Sequence, residues 1–139
     1  VVGNGDITTP GRANLAFENY GVDAVMIGRA TFGRPWLFKE CRDYIDTVQG
    51  AAQVLPAPLT IDDKIDILEE QLRINVERID EYRGILHTRR HLAASPIFKC
   101  IPNFRQTRIA LLRAETTEDV LRILEECRSI LKGLQVENQ

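Results

Sequence analysis

The sequence predicts a mostly α chain: a C-terminal helical bundle of about four helices, preceded by a two-strand β/α segment. Three observations predict it. Residues 1–6 and 22–28 are short apolar runs that close on glycine, with a helical stretch between them. Residues 49–59, QGAAQVLPAPL, have no periodicity and hold two prolines. From Thr60 onward apolar residues recur at helical spacing.

The chain opens on Val1-Val2 and runs straight into Gly3-Asn4-Gly5-Asp6. A strand cut off at its first letter gives the expectation that Val1 is an internal position of a longer protein. Ala13, Ala16, Phe17 and Tyr20 then fall at helical spacing before Gly21, and residues 22–28 form a second, nearly continuous apolar strand. Strand, helix, strand within about 28 residues is a βαβ unit, which builds parallel sheets. Pro35 suits a first helical turn, with Trp36, Leu37, Cys41 and Tyr44 following. The aperiodic stretch at 49–59 is the best domain boundary.

Thr60-x-x-Asp63 has the form of a capping box, with Ile61, Ile65, Leu68, Leu72 and Ile79 marking one face of a long helix expected to end near Gly84. Glu69 and Arg73 are spaced to pair on its wet side. A second helix, 85–94, stops at Ser95-Pro96, because the residue before proline avoids the α region. Pro102 or Asn103 starts a third that runs to about Arg113. Thr116-x-x-Asp119 caps a fourth, with Val120, Ile123, Leu124, Cys127, Leu131 and Leu134 as its buried stripe and a frayed tail expected from Gln135.

With 44% hydrophobic and 27% charged residues, the composition is that of a globular protein and excludes a disordered or fibrous one. No apolar run approaches the roughly 20 residues a bilayer span needs. Cys41, Cys100 and Cys127 are odd in number and widely spaced, which argues against disulfides or zinc and suits a reducing cytoplasm. No metal is expected. The net charge of −2 hides a division: residues 83–113 hold seven Lys and Arg and no Asp or Glu, so the other residues carry 11 basic and 20 acidic groups. Such asymmetry points to a polyanionic partner.

Two loops follow the strands, Asn4-Gly5-Asp6 and Gly28-Arg29. In parallel α/β folds ligands sit where strand C-termini open into loops. Glycine there lets backbone N–H groups approach a phosphate, and Arg29 can add a bidentate contact. Asp6 suits a turn cap or a sugar or ribityl hydroxyl. The plainer alternative is that glycine after a strand is simply a turn.

"VVGNGDI", "GVDAVMIGRATFGRPWLF" and "RRHLAASPIFKCIPNFRQTR", in that order, resemble the C-terminal part of a tRNA-dihydrouridine synthase. The resemblance covers nearly the whole chain. It implies that residues 1–50 are the C-terminal remnant, the last two strands, of a TIM-barrel FMN-binding domain and that 58–139 are a helical tRNA-binding domain. It implies FMN held by Asn4, Gly5, Asp6, Gly28 and Arg29, NADPH as reductant, and a tRNA uridine as substrate. It places the family's catalytic cysteine and lysine in earlier strands, so no catalytic residue is assigned here and the chain alone is expected to be inactive. Cys41 and Cys127 fit buried, inert thiols; Cys100 stands where the family commonly has glycine and receives no role.

On the expected second helix Arg83, His87, Arg90 and His91 share a face, while Ile85, Leu92 and Ala93 lie toward another. Lys99 sits in the following connection, and Arg105 and Arg108 are one turn apart on the third helix. The resemblance maps an RNA-binding series onto Arg89, Arg90, His91, Lys99 and Arg105, and charge adds Arg108. The alternative is a solvated basic face whose arginines bridge to the acidic helix at 62–81. Where the family often carries an aromatic pair after the histidine, this chain reads LAASPIF. Exposed strand edges are expected to invite self-association. Two other readings remain at this point: another flavin TIM-barrel oxidoreductase, and a non-catalytic helical binding module.

Overall fold

The computed structural model describes residues 1–138 and divides the chain into two compact units, Val1–Pro58 and the residues from Leu59 onward. In the first, β1 (Val2–Gly3) and β2 (Ala24–Val25) pair in parallel, with Val2 opposite Ala24 and Gly3 opposite Val25. Helix α1 (Pro10–Tyr20) crosses between them. Thr9 caps its start, Pro10 suits its first turn, and Gly21 ends it in the left-handed region at φ 58°. A 3-10 turn at Arg29–Thr31 precedes α2 (Leu37–Val48), which packs on α1. The unit's core is small: Ile7, Ala13, Leu37 and Cys41, with Ala16, Val25, Ile27 and Ile45 packed against it. Tyr20, expected on the helical stripe, is exposed because it lies on the last turn beside the cap.

Among the described residues the second unit holds four α-helices. Its first, α3 (Ile61–Arg78), starts on the expected capping box, in which the Thr60 hydroxyl accepts from the Asp63 N–H and Asp63 accepts from the Thr60 N–H. The helix does not continue to Gly84. It ends at Arg78; Ile79 leaves the helical region at φ −119°, ψ −84° and is exposed, and Asp80 caps α4 (Glu81–Ala94) by accepting from the Arg83 N–H. Gly84 therefore lies inside α4, where an added Cβ would stand 2.6 Å from the Val76 Cα. Glycine at this point sets how closely α3 and α4 approach.

Ser95-Pro96 ends α4 as expected and begins a 3-10 turn, Pro96–Cys100. Helix α5 (Phe104–Arg113) follows Asn103, whose φ of 59° is tolerable for asparagine. Helix α6 (Thr117–Glu137) is capped by Thr116; Val120, Ile123, Leu124, Cys127 and Leu131 are buried, Leu134 half-buried. It continues through Gln135, where fraying was expected. Ile65, Leu68, Leu72, Ile85, Leu92, Phe98 and Leu111 complete the core. Among the described residues no helix is long and apolar enough to cross a membrane.

Candidate phosphate cleft and cationic helical surface

Asn4, Gly5, Asp6, Gly28 and Arg29 all line one cleft of about 470 Å³. The parallel pairing of β1 and β2 explains this: both strands run the same way, so both following loops open at one end of the sheet. Ile7, Thr8, Met26 and Ala30, not singled out from the sequence, line it as well. Thr8 was findable, since it follows Asp6 in the same turn.

The loop backbone is unusual here. Gly5 has φ 149°, and Asp6 sits in the left-handed region at φ 45°. An added Cβ at Gly5 or Gly28 would meet nothing within 4 Å, so glycine there keeps open space and is not relieving a crowded contact. The Arg29–Thr31 turn begins at this cleft, and the first N–H groups of a helical turn have no partner within it. Arg29 donates 2.6 Å to Asp6 Oδ1, and both side chains are largely exposed, 88% and 69%. The Asp6 carbonyl also accepts from Arg12 Nη1 at 3.2 Å. Open glycines, the leading amides of the turn and an exposed guanidinium held by Asp6 make a donor set that fits an oxyanion. The Asp6 carboxylate beside it is an acceptor suited to hydroxyl groups, and it would repel a phosphate at its own position. That combination fits a phosphate carried on a hydroxylated chain.

In the second unit three carboxylates of α3, Asp62, Asp66 and Glu69, are paired by α6. Arg128, only 13% exposed, reaches Asp62 (2.9 Å), Asp66 (2.7 Å), Glu69 (3.4 Å) and Glu125 (3.0 Å), and Lys132 reaches Asp62 (2.9 Å). Burial works against the charged form of Arg128, but the hydrogen bonds it donates to Asp62, Asp66 and Glu125 outweigh it and hold the guanidinium protonated. Asp62 is correspondingly pushed below the usual carboxylate range, by Lys132 and then Arg128. The expected Glu69–Arg73 pair is present at 3.5 Å.

The basic segment is therefore not folded back onto α3. Arg83 pairs with Asp80 at 3.4 Å, within its own helix cap. Arg90, Lys99, Arg105, Arg108 and Arg113 are exposed, and among the described residues none of them makes an ion pair or side-chain hydrogen bond. Arg89 differs: it is half-buried and its Nη1 donates 2.9 Å to the Leu112 carbonyl. His91 sits at the border of the cationic face, half-buried, because Thr88 and Leu92 beside it turn inward. Burial, and then the Arg90 charge, pushes its imidazole below the usual histidine range. Arg89 and Arg90 line a cleft of about 440 Å³ with Leu86, His87 and Leu112, whereas Lys99, Arg105 and Arg108 lie outside it.

The thiols divide by burial. Burial pushes Cys127 up to about 11, with Glu126 adding, and burial likewise raises Cys41. Cys100 is exposed at the end of its 3-10 turn.

Comparison with known proteins supplies the context for both sites. The family described as "Dihydrouridine synthase (Dus)" matches residues 1–132, which takes in both units. Over 141 aligned residues the chain is 32% identical to "tRNA-dihydrouridine synthase B" of Serratia marcescens, covering 100% of this chain and 39% of that protein. It is 37% identical over 92 residues to the protein of the same name from Shewanella oneidensis (66% of this chain, 27% of that one). The Pseudomonas putida protein is 39% identical over 92 residues (66% and 26%). The chain thus spans between 26% and 39% of the length of these relatives.

Proposed function

This chain belongs to the dihydrouridine synthase family, and from that premise we propose that it contributes the flavin-phosphate rim and the tRNA-binding helices of an FMN-dependent tRNA-dihydrouridine synthase. Asn4, Gly5, Asp6, Gly28 and Arg29 would hold the FMN phosphate and ribityl chain. When bound there, FMN reduced by NADPH would supply a hydride to the C5–C6 bond of a tRNA uridine, the accompanying proton coming from a residue outside this chain. The role of this chain's residues is to grip: turn amides and Arg29 on the phosphate, the Asp6 carboxylate on a ribityl hydroxyl. No residue of this chain is assigned to the chemical step, and the whole enzyme would act in the cytoplasm.

The single observation that carries the RNA part is the separation of charges in the second unit. Asp62, Asp66 and Glu69 of α3 are paired by Arg128, and Asp62 by Lys132 as well, so Arg90 of α4 and Arg105, Arg108 and Arg113 of α5 remain available to an external polyanion. A-form RNA is read largely by shape, through phosphates and 2′-OH groups, and needs no base code in those residues. Binding of an unmodified tRNA transcript to the 139-residue chain, followed across a salt series, tests this. Affinity should fall steeply with salt, and R105Q/R108Q together should reduce the log–log slope by about 1.4–1.8, two phosphate contacts' worth. Absence of binding at low salt would rule the reading out.

A further inference from the structure

Arg89 does different work from its basic neighbours. Leu112 lies in the last turn of α5, where carbonyl groups have no intrahelical partner. The guanidinium of Arg89 satisfies that carbonyl at 2.9 Å from the adjacent helix, and a cation at a helix C-terminus also suits the local partial charge. Arg90, one residue on, points to solvent and makes no such bond among the described residues. The two side chains nevertheless line the same cleft, whose other walls are Leu86, His87 and Leu112.

We propose that Arg89 is a positioning residue that seats the C-terminal turn of α5 against α4, so that the resulting cleft takes one RNA backbone phosphodiester, whose contact is made by Arg90 and not by Arg89. This rests on the reading that the second unit binds tRNA. Adjacent arginines in one basic run thereby divide the labour: one holds the two helices together, the other meets the ligand. Lysine keeps the charge but its ammonium ends one atom nearer the backbone than the Arg89 Nη1 that makes the bond, so it replaces Arg89 only in part.

The test uses the full 139-residue chain, an unmodified tRNA transcript as probe, and four proteins: wild type, R89M, R89K and R90Q. Two quantities are read, the slope of log affinity against log salt and the thermal midpoint of the second unit's transition, followed by far-UV circular dichroism. R90Q should lower the slope magnitude by about 0.7–0.9 and leave the midpoint unchanged. R89M, although it loses a charge, should keep the wild-type slope, bind several-fold more weakly at every salt concentration, and melt about 4–8 °C lower. R89K should also keep the slope and melt lower, although its charge is intact. Any loss of slope in R89M, or wild-type midpoints in both Arg89 variants, overturns the inference alone. A wild-type chain that shows no salt-sensitive binding overturns the tRNA reading itself, and this inference with it.

Discussion

Arg128 is the residue on which the second unit's electrostatics turn. It sits in α6 almost buried and gathers carboxylates from α3, of which Asp66 is 64% exposed and Glu69 13%. Replacing it with methionine would leave those acids facing one another. Full burial of the abandoned charges would cost about 3–5 kcal/mol, but water can reach most of them, so roughly 2 kcal/mol is expected for R128M. A fall in the urea midpoint of the second unit's transition, followed by far-UV circular dichroism, at unchanged m-value is the check. His91 gives a second prediction at this scale. Its folded pKa lies below the ordinary 6.5, so the unfolded chain takes up a proton first. Stability should therefore fall as pH drops below about 6.5 and level off once the folded imidazole also titrates. Asp62, Asp63 and Glu81 are depressed from 3.8, 3.8 and 4.5, so their stabilisation is present above those values and lost as pH falls through the folded pKa. Urea midpoints at about pH 8, 5.5 and 3 should show both declines in the wild type, and only the lower one in H91Q. Neither device was legible in the sequence. Arg128 meets Asp62 across 66 residues, and His91's place at the edge of the buried face depends on which side of α4 its neighbours cover.

Between elements, the α3–α4 junction shows why local signals read well and packing signals do not. Thr60-x-x-Asp63 and Thr116-x-x-Asp119 mark helix starts in the sequence because a cap is a contact over three residues, and both caps are present. Asp80 carries the same kind of signal three residues ahead of Arg83, but Gly84 masked it by looking like a terminator. Gly84 is instead the closest approach of two helices, with Val76 backbone atoms 2.6 and 2.7 Å from where a Cβ would stand. On an isolated helix Gly→Ala would stabilise by about 1 kcal/mol. Here the obstacle is backbone, which cannot rotate away, so G84A should prise α3 from α4 and destabilise by about 1–3 kcal/mol net. A denaturant midpoint higher than wild type would contradict that assignment. The same contact orders the cationic surface, since α4 carries Arg90 and hands α5 its seat through Arg89.

Over the whole molecule, the two units differ in how much core each can bring to bear. The first has one short parallel pair, two helices and a core of Ile7, Ala13, Leu37 and Cys41, while Val1, Val2, Tyr20, Met26, Phe32 and Phe38 are exposed. The second buries large apolar side chains from each of its four helices. Apolar burial of this kind stabilises by about 25 cal/mol per Å², and a unit of fewer than about 60 residues with so few fully buried side chains stands at the margin of independent stability. The parallel strands add little, since two residues on each make a ladder of only a few bonds and leave both outer edges unpaired. The parallel direction of the pair was nonetheless readable from the two glycine-ended runs, because a strand–helix–strand unit returns its second strand parallel to the first; the register, Val2 opposite Ala24, was not. Unfolding should therefore not be two-state. In native-state hydrogen exchange the amides of α3, α4 and α6 should open only with the second unit's global transition. Those of β1, β2 and α1 should exchange at least about a hundredfold faster, a gap of roughly 2.7 kcal/mol or more in opening free energy. A denaturant titration followed by tryptophan fluorescence sees only the first unit, through the buried Trp36, and should turn over before far-UV circular dichroism does. Coincident transitions, with equal protection in both units, would mean that the small core is held by something beyond its own contacts.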